Sequence, residues 1–224
     1  MRMNEIILVV GGRGSGKSSF VKGYYTENGK NIPVKNSIFH EYFGKSITKL
    51  QPKFNKSIRK GLILDTFDST SWREFPEFPK IQEYPKIYDY NKIKSWKKGI
   101  YRLFEGDIPK LNKIIEKYIW NTVIVYEDAT KTVGTRLTDP LRRFMFDSKQ
   151  KNLDIIMIFH SISAVTLEIG RMPADKLILF KTNEDWEDCK GRIADPEKKV
   201  EKAFFELQQE KNRFAYRIID LRTN

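Results

Sequence analysis

Ile6-Ile7-Leu8-Val9-Val10-Gly11-Gly12-Arg13-Gly14-Ser15-Gly16-Lys17-Ser18 decides how the rest of this chain is read. Five apolar residues run straight into a segment that fits GxxxxGK[ST], and a helical pattern opens at Lys17. The motif therefore stands between a strand and a helix, where its chemistry requires it. Glycines let the backbone curl so that N–H groups point inward at phosphate oxygens, and the helix N-terminus adds its dipole. Lys17 supplies charge for the β- and γ-phosphates, and Ser18 a hydroxyl for magnesium. The expected contacts to the bound species, a nucleoside triphosphate with Mg2+, are Gly11, Gly12, Arg13, Gly14, Ser15, Gly16, Lys17, Ser18 and Ser19. Hydrolysis of that triphosphate is the expected reaction.

Such chemistry needs acids at the end of a second strand. Val123-Ile124-Val125-Tyr126-Glu127-Asp128 provides them about 110 residues downstream. Glu127 is assigned to the metal and Asp128 to the attacking water, in the reverse of the usual Asp-then-Glu order. A strand-end acid can also merely cap the turn that follows. A further apolar run, Ile155 to Phe159, ends in His160-Ser161 at the carboxyl edge, where parallel sheets place their ligands. His160 can read the γ-phosphate or serve as a satisfied structural residue, and Ser161 can cap the next helix. The expected catalytic set is Lys17, Glu127, Asp128 and His160, with Ser18 and Glu127 toward the metal. An arginine from a neighbouring subunit would come from Arg102, Arg136, Arg142, Arg143 or Arg171, each of which can equally be a solvated surface charge.

Around these pieces the pattern predicts an α/β fold, a mainly parallel central sheet flanked by helices, in one domain over residues 1–224. Strands are expected at Ile6–Val10, Gly61–Asp65, Thr122–Tyr126, Ile155–Phe159 and Lys176–Phe180, with a last one, antiparallel at the edge, within Phe214–Leu221. Helices are expected at Lys17–Thr26, Ile108–Tyr118, Pro140–Lys149 and Glu197–Gln209. Residues 68–98 break the pattern, with Pro76, Pro79 and Pro85 among Tyr84, Tyr88, Tyr90 and Trp96, and read as an irregular insertion or long loop. The aromatic stretch from Trp72 to Tyr101 can stack on bases, grip a partner, or pack a long loop on the core.

The formal net charge of +12 over 224 residues points to a polyanionic partner, and nucleic acid fits because each neutralised phosphate releases counterions. Cys189 is the single cysteine, which excludes an internal disulfide or a CxxC metal site and implies a reducing compartment. The run Ile6–Val10 is far below the roughly 20 residues of a membrane span. A soluble, cytoplasmic protein is expected.

The order of pieces resembles the HerA/FtsK group of DNA-pumping ATPases, in particular viral genome-packaging ATPases, and is similar to the zonula-occludens-toxin-like assembly ATPases of filamentous phages. Gly61-Leu62-Ile63-Leu64-Asp65 looks like that group's Asp-ended strand after the phosphate loop. Lys149-Gln150-Lys151-Asn152-Leu153-Asp154 stands where the group has an Arg-His pair and spacer, and His160 stands where it ends a strand in Gln. Arg171-Met172-Pro173-Ala174-Asp175 before Lys176–Phe180 is similar to its return into the last core strand. The resemblance spans most of the chain. It implies a RecA-like core, ATP as the nucleotide, a homo-oligomeric ring with ATP at each interface, and double-stranded DNA drawn through the pore without regard to sequence. The phage assembly ATPases are commonly membrane-anchored, so capsid packaging is preferred, with a capsid or portal-vertex protein as docking partner and the host cytoplasm or virion as its location. Two alternatives stay open, a small P-loop kinase and a nucleotide-dependent switch. Thr182-Asn183-Glu184-Asp185 only superficially echoes a guanine-reading segment and is expected to be a loop or helix cap.

Overall fold

The computed structural model describes residues 4–43, 60–66, 68–82, 84–105, 107–133, 136–171, 174–195 and 197–222. In chain order these form β1 (Ile6–Val10), α1 (Lys17–Lys22), β2 (Tyr24–Glu27), β3 (Lys30–Pro33), α2 (Ile38–Phe43) and β4 (Lys60–Asp65). A hairpin of β5 (Lys80–Ile81) and β6 (Tyr84–Tyr88) precedes α3 (Tyr90–Ser95), β7 (Gly99–Phe104) and α4 (Ile108–Tyr118). Then come β8 (Thr122–Tyr126), α5 (Ala129–Val133), α6 (Asp139–Phe146), β9 (Leu153–Phe159) and α7 (Leu167–Arg171). The last described elements are β10 (Lys176–Phe180), α8 (Trp186–Cys189), α9 (Lys199–Gln209) and β11 (Tyr216–Asp220).

Seven strands share one sheet in the order β11-β10-β1-β9-β8-β4-β7. β1 runs parallel to β10 and β9, β4 parallel to β7, and β11 antiparallel to β10 at the edge. Every residue of β1, β8 and β9 is buried, as helical cover on both faces of a parallel sheet requires. This is the α/β architecture that the sequence predicts. The chain divides into two compact units, one of Met1–Lys17, Tyr126–Ser148 and Asp154–Asn224, the other of Ser18–Val125 and Lys149–Leu153.

In the first unit two carboxylates brace the entry of β1. Asp154 Oδ1 accepts from Glu5 N at 2.6 Å and Asp175 Oδ2 from Ile6 N at 2.7 Å. α9 lays Val200, Ala203, Phe204 and Leu207 into the core. It begins two residues later than expected. Met172 and Pro173, part of the resemblance, lie outside the described residues.

In the second unit α1 is shorter than the expected Lys17–Thr26. Gly23 N closes its last turn on Ser19 O at 2.8 Å, and Tyr24–Glu27 then pairs with Lys30–Pro33 as a hairpin. The stretch expected to be irregular carries the β5–β6 hairpin, α3 and the approach to β7, a sheet strand that the sequence reading omits. The aromatic residues resolve in favour of packing: Trp72, Phe75, Phe78, Tyr88 and Trp96 are buried, and the Phe78 ring stacks on Tyr101 at 4.7 Å between centroids. The side chain of Tyr84 lies outside the described ones.

Arg102, in the middle of β7, is neither a surface charge nor available to a neighbouring subunit. Its Nη1 donates to Asp65 Oδ2 at 3.2 Å and Asp68 Oδ1 at 2.5 Å, and only 8% of the residue is exposed. Burial opposes its charge, yet the bonds to Asp68 and Asp65 outweigh burial and raise its pKa. Asp65 itself is fully buried and also accepts from Ser69 N at 3.1 Å, so removal of the guanidinium takes the cation from a carboxylate in low dielectric. Arg102→Met should lower unfolding free energy by about 3 kcal/mol in urea titration, and Asp65→Asn combined with it should recover part of the loss. A destabilisation below about 0.5 kcal/mol would show the pair to be ornamental.

Candidate functional site

The glycine loop leaves β1 stitched on both sides. Gly11 N donates to Phe159 O at 3.3 Å, and Gly12 N donates to Lys181 O at 3.0 Å. The fit is close: a Cβ added to Gly11 would lie 2.5 Å from Phe180 Cβ, so only glycine lets β10 approach here. Arg13 is exposed at the crest of the loop, while Ser15 is buried with no hydrogen-bond partner for its Oγ among the described residues. Ser18 and Ser19, both half-buried in α1, follow Lys17 directly and open the second unit.

Lys17 is buried, and its ammonium is turned back onto its own loop. Nζ donates to Gly11 O and to Gly12 O, each at 2.7 Å. Burial pushes its pKa down to about 8, and the charges of Glu127 and then Asp128 pull part of the way back. These acids stand at the end of β8, Glu127 buried and Asp128 half-buried. Asp128 has φ +50, a left-handed conformation that short polar side chains tolerate best. Its carbonyl accepts from Lys131 N at 3.1 Å, so α5 starts immediately behind it.

His160 follows β9 and is half-buried. Burial, and next the charge of Lys17, hold its pKa below the ordinary value, with Asp128 opposing. The imidazole is thus neutral near pH 7, and its Nδ1 is buried with no hydrogen-bond partner among the described residues. Sequence reasoning leaves open whether this histidine is structurally satisfied, and the bare Nδ1 argues against it. Behind it, Ser161 Oγ accepts from Ala164 N at 3.2 Å and closes a local turn; it does not cap the next helix, which begins only at Leu167. Electrostatics therefore link Lys17, Glu127, Asp128 and His160 within the first unit.

Of the other arginines, Arg142 is tied to Asp139 at 2.9 Å and to Glu168 at 3.0 Å. Arg136, Arg143 and Arg171 are exposed. Lys149 and Gln150, standing where the resembled group has Arg-His, are exposed too, whereas Lys151 is buried and donates to Glu116 O.

Three residues escape the sequence reading. Glu184 accepts from Ile162 N at 2.7 Å and Ser163 N at 2.8 Å, bracing the loop after His160. Asp185 caps α8, the helix cap expected of the Thr182–Asp185 segment. Lys181 carries Gly12 on its carbonyl, and Phe214, read from sequence only as the start of the last strand, lies beside Gly16. Only sequence position after a buried strand could have flagged the first two; nothing local flags Phe214.

No family model matches the chain, and no curated protein matches it. Solved structures do. The genome packaging NTPase B204 from Sulfolobus turreted icosahedral virus 2, in complex with ATP-gammaS, matches with a TM-score of 0.61 at 16% identity, over 99% of this chain and 94% of that one. Its complex with AMPPCP matches with a TM-score of 0.62 at 16% identity, over 97% and 93%. B204, the DNA-packaging ATPase from Sulfolobus Turreted Icosahedral Virus, matches with a TM-score of 0.60 at 15% identity, over 99% and 94%. The chain thus has the RecA-like P-loop NTPase fold of these viral packaging proteins.

Proposed function

We propose that this chain is an ATP-driven double-stranded DNA translocase that packages a viral genome. The observation that carries the reading is the buried ammonium of Lys17, held on the carbonyls of Gly11 and Gly12 and flanked electrostatically by two acids and a neutral histidine. The fold of proteins described as genome packaging NTPases in complex with ATP-gammaS and AMPPCP supports it. So does the net charge of +12. In this reading Gly11 to Ser19 wrap the phosphates, and Lys17 exchanges its loop carbonyls for phosphate oxygens.

We assign magnesium to Glu127, the buried acid at the end of β8, with the Ser18 hydroxyl. Magnesium readily takes its remaining ligands from phosphate oxygens and water. Bound there, it would neutralise charge that builds on the transferred phosphoryl. Asp128, whose charge acts on His160, would orient the attacking water. His160 offers the γ-phosphate region a neutral ring nitrogen. An arginine in trans would come from Arg136, Arg143 or Arg171, which are exposed.

Lysines and arginines would meet DNA through its phosphates, so translocation would be independent of sequence. A homo-oligomeric ring, a capsid or portal-vertex protein as anchor, and work in the host cytoplasm complete the proposal. Among the described residues no helix is long and apolar enough to cross a membrane.

ATP turnover measured with and without linear double-stranded DNA over a salt series tests this. The rate should rise with DNA of any sequence and lose that response at high salt. Lys17→Ala and Asp128→Asn should each cut turnover by about a hundredfold or more with unchanged circular dichroism. Phosphate passed to a small acceptor, with no DNA response, would establish the kinase alternative instead.

A second expectation follows from the amine. Triphosphate favours the charged form of Lys17, so its pKa rises on binding. Below about pH 8 the amine is already protonated and affinity is flat in pH on its account. Above that value binding must take up a proton, and affinity should fall by up to about tenfold per pH unit. Calorimetric titration with ATP from pH 7 to 10 reads this directly, and Lys17→Arg, charged throughout, should show no such fall. Affinity constant up to pH 10 in the wild type would show that the ammonium does not meet the phosphates.

A further inference from the structure

The turn between α9 and β11 is built to hold one aromatic ring beside the glycine loop. Lys181, whose carbonyl takes Gly12 N, sends its ammonium to Gln208 O at 3.0 Å and Glu210 O at 3.1 Å. Gln208 Nε2 returns a bond to Thr182 O at 2.9 Å. Asn212 then shapes the turn, accepting from Phe214 N on Oδ1 at 2.9 Å and from Ala215 N on its carbonyl at 3.0 Å. Arg217 ties β11 back to Glu206 at 3.0 Å and Glu210 at 2.9 Å. Because Tyr216 pairs with Phe180, β11 starts at the carboxyl end of β10, the edge from which the glycine loop also springs.

These restraints converge on Phe214. A Cβ built on Gly16 would lie 3.2 Å from Phe214 Cδ1, and Gly16 holds φ +92, so the ring sits close against the loop and a side chain there would be strained and would push on it. A phenyl ring that served the core would be covered, yet Phe214 is 49% exposed. The guanidinium of Arg213 lies over it, 4.6 Å from the ring centroid. The turn thus keeps an apolar ring, partnered by a planar cation, in solvent and beside the phosphate loop.

We infer that Phe214, with Arg213, is the platform on which the nucleobase of the bound triphosphate stacks. This rests on the triphosphate occupying the loop. A nucleotide whose phosphates are pinned by the backbone from Gly12 to Ser18 carries its base out of the loop, and the exposed ring beside Gly16 is the apolar surface that meets it. Stacking on an aromatic face, supported by a guanidinium, reads no donor–acceptor pattern, because every base has a π-face. The stacking itself therefore does not tell adenine from guanine.

Inorganic tripolyphosphate separates base from phosphates. Titrating it and ATP into wild type, Phe214→Ala, Phe214→Leu and Phe214→Trp tests the platform. Both aliphatic variants should weaken ATP by roughly 5- to 150-fold and leave tripolyphosphate unchanged, while Phe214→Trp keeps ATP binding. Phe214→Leu still fills the space beside Gly16, so an equal loss of both ligands there would make the ring a support for the loop and overturn the inference. Unchanged ATP affinity in both aliphatic variants would overturn it as well. Failure of the wild type to bind either ligand would instead remove the phosphate-loop reading, and the platform with it.

Discussion

A strand buried on both faces can offer chemistry only at its ends, and β1 is such a strand, with no residue of Ile6–Val10 more than 7% exposed. Its polar business is therefore displaced to the two places where the backbone leaves the sheet. At the entry, Asp154 and Asp175 take the N–H groups of Glu5 and Ile6. At the exit, the glycine loop is set between the ends of β9 and β10, because both run parallel to β1 and deliver Phe159 O and Lys181 O to Gly11 and Gly12. The same parallel arrangement brings His160 off β9 at that edge. An antiparallel neighbour would have presented its opposite end there.

The loop's second constraint is an ammonium with nowhere else to go. A buried cation is costly unless its donors are met, and Lys17 meets two of them on carbonyls of the turn that carries it. The arrangement is self-contained, since both carbonyls belong to the loop that carries the lysine and their own N–H groups are paired with Phe159 and Lys181. Its electrostatic shadow extends further: the positive charge of Lys17 is second only to burial in keeping His160 neutral.

What was legible in the sequence follows from this geometry. Strands buried on both faces read as unbroken apolar runs, so Thr122–Tyr126 and Lys176–Phe180 match their observed bounds, and Ile108–Tyr118, with Pro109 in its first turn, matches as a helix. β7 was hidden because Arg102 interrupts its apolar run, and only the distant Asp65 and Asp68 make an arginine tolerable there. The helix expected through Thr26 stops at Gly23, where a Cβ would lie 2.8 Å from His40 Nε2 and Ser37 Oγ, neighbours that no local pattern announces. Of the candidate site, the glycine loop, both acids and His160 were legible because each sits at a strand end. Phe214 was not, since its neighbour Gly16 lies at the other end of the chain and the turn that presents it is held by Lys181 and Asn212.

The reversed order of the acids has a backbone reason. Residue 128 sits at φ +50, where an L side chain costs roughly 1–2 kcal/mol. Asp and Asn are enriched in that region because their short side chains can bond locally, whereas Glu gains nothing from it. The residue before it, still at the buried strand end, carries no such restriction and accommodates a glutamate. With the turn into α5 beginning at Asp128, an Asp-then-Glu order would place the longer acid in the strained position and the shorter one where there is no strain to relieve. Glu127-Asp128 keeps two carboxylates at the end of β8 at a lower conformational cost, so the departure from the usual order belongs to the local turn and is compatible with the same division of work between metal and water.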